Sequence, residues 1–187
     1  MRSSWGPLLA AAALAALALA GCAPAPAPAP PTSAPATEAP VFKSDAEALA
    51  AATKAYAAYL KAIDAILAHG GADVSKLANV ASGDALAAET KTAGMYVERK
   101  YRSRGTSEFD TLQLQTMEDR RDGRTSVSAY LCSDVSAVDV VDQAGKSVVP
   151  PERVDRFPLQ VTFENSKAHS TRLLISSSET WTGTNFC

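Results

Sequence analysis

Cysteine is the residue type with the most evident chemistry in this sequence, because a deprotonated thiol is a strong nucleophile. The 187-residue chain has three cysteines, at positions 22, 132 and 187. Cys22 comes soon after an apolar run from Leu8 to Leu19, and only Ala20 and Gly21 stand between them. Small residues at these two positions leave the backbone accessible to a peptidase. We therefore expect processing of the chain at Cys22.

The N-terminal segment has the parts of an export signal. Arg2 supplies positive charge, and the apolar run of about twelve residues is shorter than the ~20 needed to span a bilayer as a helix. Leu19-Ala20-Gly21-Cys22 resembles the lipobox of bacterial lipoproteins. This resemblance implies a signal peptide over residues 1–21, a diacylglycerol on the Cys22 thiol, and a lipid-anchored location at the cell membrane, facing the extracytoplasmic side. The alternative is an ordinary secretory signal cleaved within residues 18–20, which leaves Cys22 as a free thiol.

Proline and alanine dominate the next segment, residues 22–43. Proline fixes φ and restricts the preceding residue, so we expect an extended, disordered linker without a packed core. Residues 44–187 are then long enough for a single domain. The formal net charge of −2 lacks the basic excess that binding to phosphate backbones requires, which argues against a nucleic-acid partner.

The other two cysteines, Cys132 and Cys187, are predicted to form a disulfide. An isolated pair in an oxidising compartment is most simply one structural bridge, which would hold the end of the chain against an interior strand. A redox-active pair is the alternative, but the two cysteines are far apart and the sequence contains no C-x-x-C.

Two long helices are predicted in the first half of the domain. Ser44 and Glu47 form a capping-box pattern ahead of an apolar periodicity of three to four residues, and Gly70-Gly71 ends that helix. A second helix is expected to begin around Ser82 and to run to about Arg104.

After Gly105 the apolar period changes from 3.6 to 2, which predicts strands. Turns are expected at 121–123 and 142–145, and Pro150-Pro151 interrupts the pattern. The predicted strand segments are those of Leu112 and Leu114, Val127 to Leu131, Val138 to Val141, Lys146 to Val149, Leu159 to Phe163 and Leu173 to Ser177. Helices followed by strands predict an α+β domain with N-terminal helices on a curved antiparallel sheet.

This order resembles the NTF2-like (SnoaL-like, cystatin-like) cone, in which a long helix crosses a curved sheet and encloses a pocket. Three segments, 77–86, 132–136 and 178–187 with Trp181, look like a group of lipoproteins from high-GC Gram-positive bacteria. The resemblance implies a pocket between helix and sheet. Its candidate lining residues are Tyr56, Tyr96, Phe109, Asp134 and Trp181, although aromatic residues at such spacing are also typical of a core.

Few residues point to catalysis. The sequence lacks H-E-x-x-H, G-x-S-x-G and phosphate-loop patterns, and its two histidines, His69 and His169, stand at a helix end and in a polar turn. We therefore predict no catalytic residue, no metal and no cofactor. Enzymes on NTF2-like cones often use a pocket carboxylate as a base, and Asp134 is the best candidate for that role beside Asp139 and Asp142.

Two functions agree with these observations. The first is a lipid-anchored, non-enzymatic module that binds a partner protein or a small apolar ligand at the cell envelope. The second is a SnoaL- or isomerase-type enzyme that uses a pocket carboxylate on a small hydrophobic substrate. Family analogy adds the possibility of a homodimer formed through the sheet.

Replacing Cys22 with serine tests the membrane anchor. Without the thiol no lipid can be attached, so we expect Cys22→Ser to accumulate as an unprocessed or released protein. Membrane fractionation with intact-mass analysis is the measurement. A processed, membrane-bound variant would show that the lipobox interpretation is wrong.

Overall fold

The computed structural model describes residues 39–187. The predicted signal peptide, Cys22 and most of the predicted linker lie outside these described residues. Two long helices and a short 3-10 turn (Leu77–Asn79) come first in the described part, and strands follow. The elements are α1 (Asp45–Ala68), α2 (Gly83–Arg99), β1 (Arg102–Arg104), β2 (Glu108–Asp119), β3 (Thr125–Asp134), β4 (Asp139–Val141), β5 (Arg156–Asn165) and β6 (Leu173–Thr180). Within residues 39–187, no helix combines the length and apolar character that crossing a membrane requires.

The capping box predicted for α1 is confirmed. Ser44 Oγ accepts a hydrogen bond from the Glu47 backbone N–H at 3.3 Å, and Glu47 Oε2 accepts one from the Lys43 N–H at 2.9 Å. At the other end, the Gly71 N–H donates to the Ile66 carbonyl at 2.9 Å. These bonds satisfy backbone groups that a helix leaves unpaired at its termini.

The second helix is shorter than predicted, because α2 ends at Arg99 and not near Arg104. Lys100 adopts a left-handed φ of 58°, and the Tyr101 N–H donates to the Tyr96 carbonyl at 3.0 Å. β1 then pairs antiparallel with β4. The helical periodicity continues through this segment, but pairing with a distant strand decides its structure.

The main sheet has four antiparallel strands in the order β2-β3-β5-β6, and β1 and β4 form a separate two-stranded sheet. On β3, Val127, Ala129 and Leu131 are buried, whereas Ser128 and Tyr130 between them are partly exposed. We call the side with the buried residues the inner face and the opposite side the outer face. The predicted α+β class and antiparallel sheet are confirmed.

α1 packs on the inner face. Its Ala48, Ala52 and Tyr56 are at most 2% exposed and belong to one cluster with the inner residues of β3, β5 and β6. Phe42, at 1% exposure, belongs to the same cluster although the sequence analysis placed it in the linker. The packed domain therefore begins before residue 44, because the large apolar side chain of Phe42 has a place in the core.

Truncation of Phe42 tests this earlier boundary. Removing a fully buried phenyl ring leaves a cavity, so we expect Phe42→Ala to lower the free energy of unfolding by about 3–5 kcal/mol. Val154 is 64% exposed, and Val154→Ala is the matched control with an expected change within about 0.5 kcal/mol. Urea unfolding measures both, and equal small changes would place Phe42 outside the core.

Candidate binding surface

The structure brings together two of the five candidate pocket residues. The Tyr56 and Phe109 rings lie 4.8 Å apart between centroids in an edge-to-face arrangement. Tyr96 lies on α2 with its ring 6.1 Å from that of Tyr101, and Trp181 packs on the outer face.

The space between α1 and the sheet is occupied by side chains. Tyr56 is 2% exposed, and Leu131 and Phe163 on the inner face are fully buried. Burial raises the pKa of Tyr56, while a hydrogen bond with Ser133 lowers it. Tyr56 therefore has the contacts of a core residue.

Sequence reasoning missed a half-buried carboxylate on α2. Glu89 Oε1 accepts a hydrogen bond from the Tyr59 hydroxyl at 2.6 Å. Burial raises the pKa of Glu89, and the bond from Tyr59 opposes this effect. Burial and the nearby Glu89 charge in turn raise the pKa of Tyr59. No local pattern marked Glu89, because its partner is thirty positions away on the other helix.

Asp134 does not have the apolar, buried surroundings expected of a pocket base. Its Oδ1 accepts a hydrogen bond from the Ser136 N–H at 2.9 Å, and its Oδ2 lies 3.8 Å from Arg156 Nη1. Hydrogen bonds from Ser136, assisted by the Arg156 charge, lower the pKa of Asp134. Arg156 also donates to both oxygens of Asp110, at 2.6 and 2.8 Å, and holds the pKa of Asp110 at about 2. Asp134 thus belongs, with Asp110 and Arg156, to a cluster of charged residues where the end of β3 meets the start of β5.

The two remaining candidate carboxylates support the loop after β4. Asp139 Oδ1 accepts from the Ser147 hydroxyl at 2.6 Å. Asp142 Oδ1 accepts from the backbone N–H groups of Ala144 and Lys146 at 2.9 and 3.0 Å. Bonds of this kind are typical of turn-forming aspartates.

The two histidines make hydrogen bonds to nearby backbone groups. His69 Nδ1 is 2.7 Å from the Ala65 carbonyl at the end of α1, and the His169 N–H donates to the Gly123 carbonyl at 2.8 Å. Within residues 39–187, no three side chains among His, Cys, Asp and Glu are grouped as metal ligands.

Three aromatic rings form a cluster on the outer face. The Tyr130 ring centroid lies 4.8 Å from that of Trp181 and 5.9 Å from that of Phe186. Phe186 is 42% exposed. We call Tyr130, Trp181 and Phe186 the aromatic cluster. Sequence reasoning singled out Trp181 but neither of its partners.

The C-terminal segment holds this cluster in place. Cys132 and Cys187 form the predicted disulfide, with their Cα atoms 5.6 Å apart. At the other end of the segment, the Trp181 N–H donates to the Pro158 carbonyl at 2.9 Å. A Cβ atom on Gly183 would lie 2.5 Å from the indole, so this glycine permits the backbone to pass over the Trp181 ring. We call residues 181–187 the strap.

In the two rows of residues nearest the aromatic cluster, every polar residue except Glu179 is uncharged. The register aligns Gln113, Tyr130, Gln160 and Glu179 in one row across the four strands. The next row contains only hydroxyl side chains, those of Thr116, Ser128, Thr162 and Ser177. The outer face therefore offers aromatic surface with a rim of hydrogen-bonding groups.

Both edges of the sheet are protected against strand addition. β2 has two register irregularities, and Thr111 within it has a left-handed φ of 55°. Along β6, the Ser82 N–H donates to the Ile175 carbonyl at 2.8 Å and the Ile175 N–H to the Val80 carbonyl at 3.0 Å. Bulges and covering segments are the usual means by which a sheet edge avoids pairing. The outer face is thus more open to a partner than the edges are.

Comparisons with known proteins show likeness in structure. No family model matches the sequence, and no curated protein is similar to it in sequence. The intermembrane space region of the chloroplast protein ARC6 superposes with a TM-score of 0.51 at 15% identity, covering 71% of this chain and 95% of that one. Aln2 from a Streptomyces species aligns with a TM-score of 0.38 at 20% identity, over 73% of this chain and 91% of Aln2. The likeness to ARC6 concerns the fold alone.

Glu89 gives a prediction about pH. The pKa of Glu89 is raised in the folded state. Above the ordinary glutamate pKa of about 4.3, the folded chain therefore binds more protons than the unfolded chain. Stability from this group therefore falls as pH rises through that range. Glu89→Gln keeps an acceptor for Tyr59 without the charge. We expect it to match the wild type in urea unfolding near pH 4 and to exceed it at pH 7, and a pH-independent difference would contradict this account.

Proposed function

We propose that this protein is a lipid-anchored, extracytoplasmic, non-enzymatic module that binds a partner protein at the cell envelope. The observation that carries the proposal is the aromatic cluster, held on the outer face of the sheet by the strap and its disulfide. The anchor would be the lipid on Cys22, and the proline-rich linker would separate the domain from the membrane surface.

The composition of the outer face supports a protein partner. Tyrosine, tryptophan and arginine are enriched among residues that dominate binding energy, and a polar rim around an aromatic centre is typical of interfaces. Here Tyr130 and Trp181 form the centre, and Arg156 lies beside the strap with its Nε donating to the Cys187 carbonyl at 3.2 Å. Because disulfide and ring contacts fix the cluster, little side-chain entropy remains to be lost on binding.

The filled interior favours this function over the alternatives. A small apolar ligand needs a cavity, but Tyr56 and Phe163 occupy the space between helix and sheet. A SnoaL-type enzyme was expected to use Asp134 as its base, but hydrogen bonds lower the pKa of Asp134 and oppose that role. We propose the binding module for these reasons.

For the fold, we propose an NTF2-like cone. The support is the long helix α1 lying against the inner face of an antiparallel sheet. The outer face could instead bind a second copy of this chain. The crosslinking test below distinguishes a homodimer from a distinct protein partner.

Site-specific photo-crosslinking in the host membrane tests the proposal. A photoreactive residue at Gln113, which is exposed beside Tyr130, should give a discrete adduct with another protein. The same residue at Met95, which is 40% exposed on α2, is the matched control and should not. Trp181→Ala should abolish the Gln113 adduct, because the cluster loses its largest ring.

The mass of the adduct identifies the occupant. An adduct of twice the chain mass would identify a homodimer and contradict a distinct protein partner. No adduct, or one that persists in Trp181→Ala, would show that the aromatic cluster is not the binding surface.

A further inference from the structure

A groove lies where the C-terminal ends of α1 and α2 meet the β1–β4 sheet, away from the aromatic cluster. Its volume is about 710 Å³. This volume is within the range of about 300–1,000 Å³ that is usual for small-molecule sites. We call it the basic groove, because its lining includes Lys100, Arg102 and Arg104.

Strand geometry places the two arginines together. Arg102 and Arg104 are exposed and alternate with the buried Ser103, so they project from one face of β1. The Cα atoms of residues i and i+2 on a strand lie about 6.6 Å apart, so two arginine side chains at this spacing can reach the same ligand. A Cβ atom on Gly145 would lie 3.6 Å from Arg104 Nη2, so the guanidinium lies beside the backbone of this glycine.

The positive charges of the groove form no ion pair with the described part of the chain. Among the ion pairs within residues 39–187, none includes Lys100, Arg102 or Arg104. The one carboxylate in the groove lining belongs to Asp142, and its Oδ1 already accepts two backbone N–H groups. Asp139 lies opposite Arg104 in the β1–β4 register, and its Oδ1 accepts from a serine hydroxyl at 2.6 Å. Three cations thus have two carboxylates nearby, and both carboxylates already accept other hydrogen bonds.

Lys100 occupies a position that usually favours glycine. It follows the last residue of α2 with a φ of 58°, and at such left-handed helix ends a Cβ atom is unfavourable. The strained conformation is compatible with a role in which the ammonium group lines the groove.

We infer that the basic groove binds the phosphate group of a small phosphorylated molecule. Arginine presents a planar fork of donors that matches phosphate oxygens, and lysine adds a point charge. Tyr101 lines the same groove and provides aromatic surface for the remainder of such a ligand, with the buried Tyr96 ring packed edge-on against it. The groove is separate from the aromatic cluster, so this inference stands independently of the proposed partner binding.

Pyrophosphate is the probe, and calorimetry on the full chain, purified in detergent from its own host, is the measurement. The wild type should bind pyrophosphate, and Arg102→Glu with Arg104→Glu should abolish the binding. The matched control is Arg121→Glu with Lys167→Glu, which changes the net charge equally at exposed positions in the turns that follow β2 and β5. The control should bind within about twofold of the wild type, because its groove is unchanged.

Lys100→Gly separates binding from folding. Glycine relieves the left-handed strain, so this variant should melt no lower than the wild type. It should nevertheless bind pyrophosphate at least about tenfold more weakly, since a hydrogen bond to a charged group is lost.

Three results would overturn the inference. The first is no binding of pyrophosphate to the wild type, and the second is equal weakening in both charge-reversal pairs, which indicates general electrostatic attraction. The third is binding to phosphatidylglycerol vesicles that is lost on charge reversal while pyrophosphate does not bind, because the groove would then contact a lipid surface.

Discussion

Small side chains on α1 allow that helix to approach the inner face of the sheet closely, and the position of the other elements follows from this contact. Ala48 and Ala52 are fully buried there, and Tyr56 fills the space that remains. Burial of apolar surface at about 25 cal/mol per Å² is the main favourable contribution at such a contact. With the inner face occupied in this way, the surfaces left for binding lie outside the core.

The elements predicted well from sequence are those with local signals. α1 has a capping box at one end and two glycines at the other, and its observed bounds agree with both. β2 to β6 followed from a period of two, whereas the strand predicted at 146–149 is only an isolated bridge between Ser147 and Val141. The disulfide followed from the number of cysteines once Cys22 was set aside. In each case the deciding information lies within a few residues or in a simple count.

The errors arose where distant partners decide the structure. Arg102 to Arg104 continue a helical pattern, but β4 supplies backbone hydrogen bonds that turn them into a strand. Phe42 follows a proline-rich stretch, yet the core has room for its ring. Tyr130 and Phe186 gave no signal because their contact depends on the strap crossing the sheet. The hydrogen bond between Glu89 and Tyr59 likewise joins two helices, so no local sequence pattern indicated it.

The two surfaces differ in their physical character. The outer face combines rings with hydroxyl and amide groups and the Glu179 carboxylate, and Arg156 at its end is already paired with Asp110. The basic groove has cations without carboxylate partners among the described residues. Salt should therefore affect the two surfaces differently, since screening weakens charge attraction and leaves apolar contact largely intact.

The disulfide also determines where the chain emerges from the domain. Cys187 is bonded to β3, and its carbonyl accepts from Arg156 on the outer face. Any residues that follow position 187, including an affinity tag or a fluorescent fusion, would therefore start beside Tyr130 and Phe186. Such a fusion would shield the aromatic cluster sterically while leaving the helices and the core untouched. A label placed in the turn at 121–123, beyond the end of β2, would leave the cluster accessible.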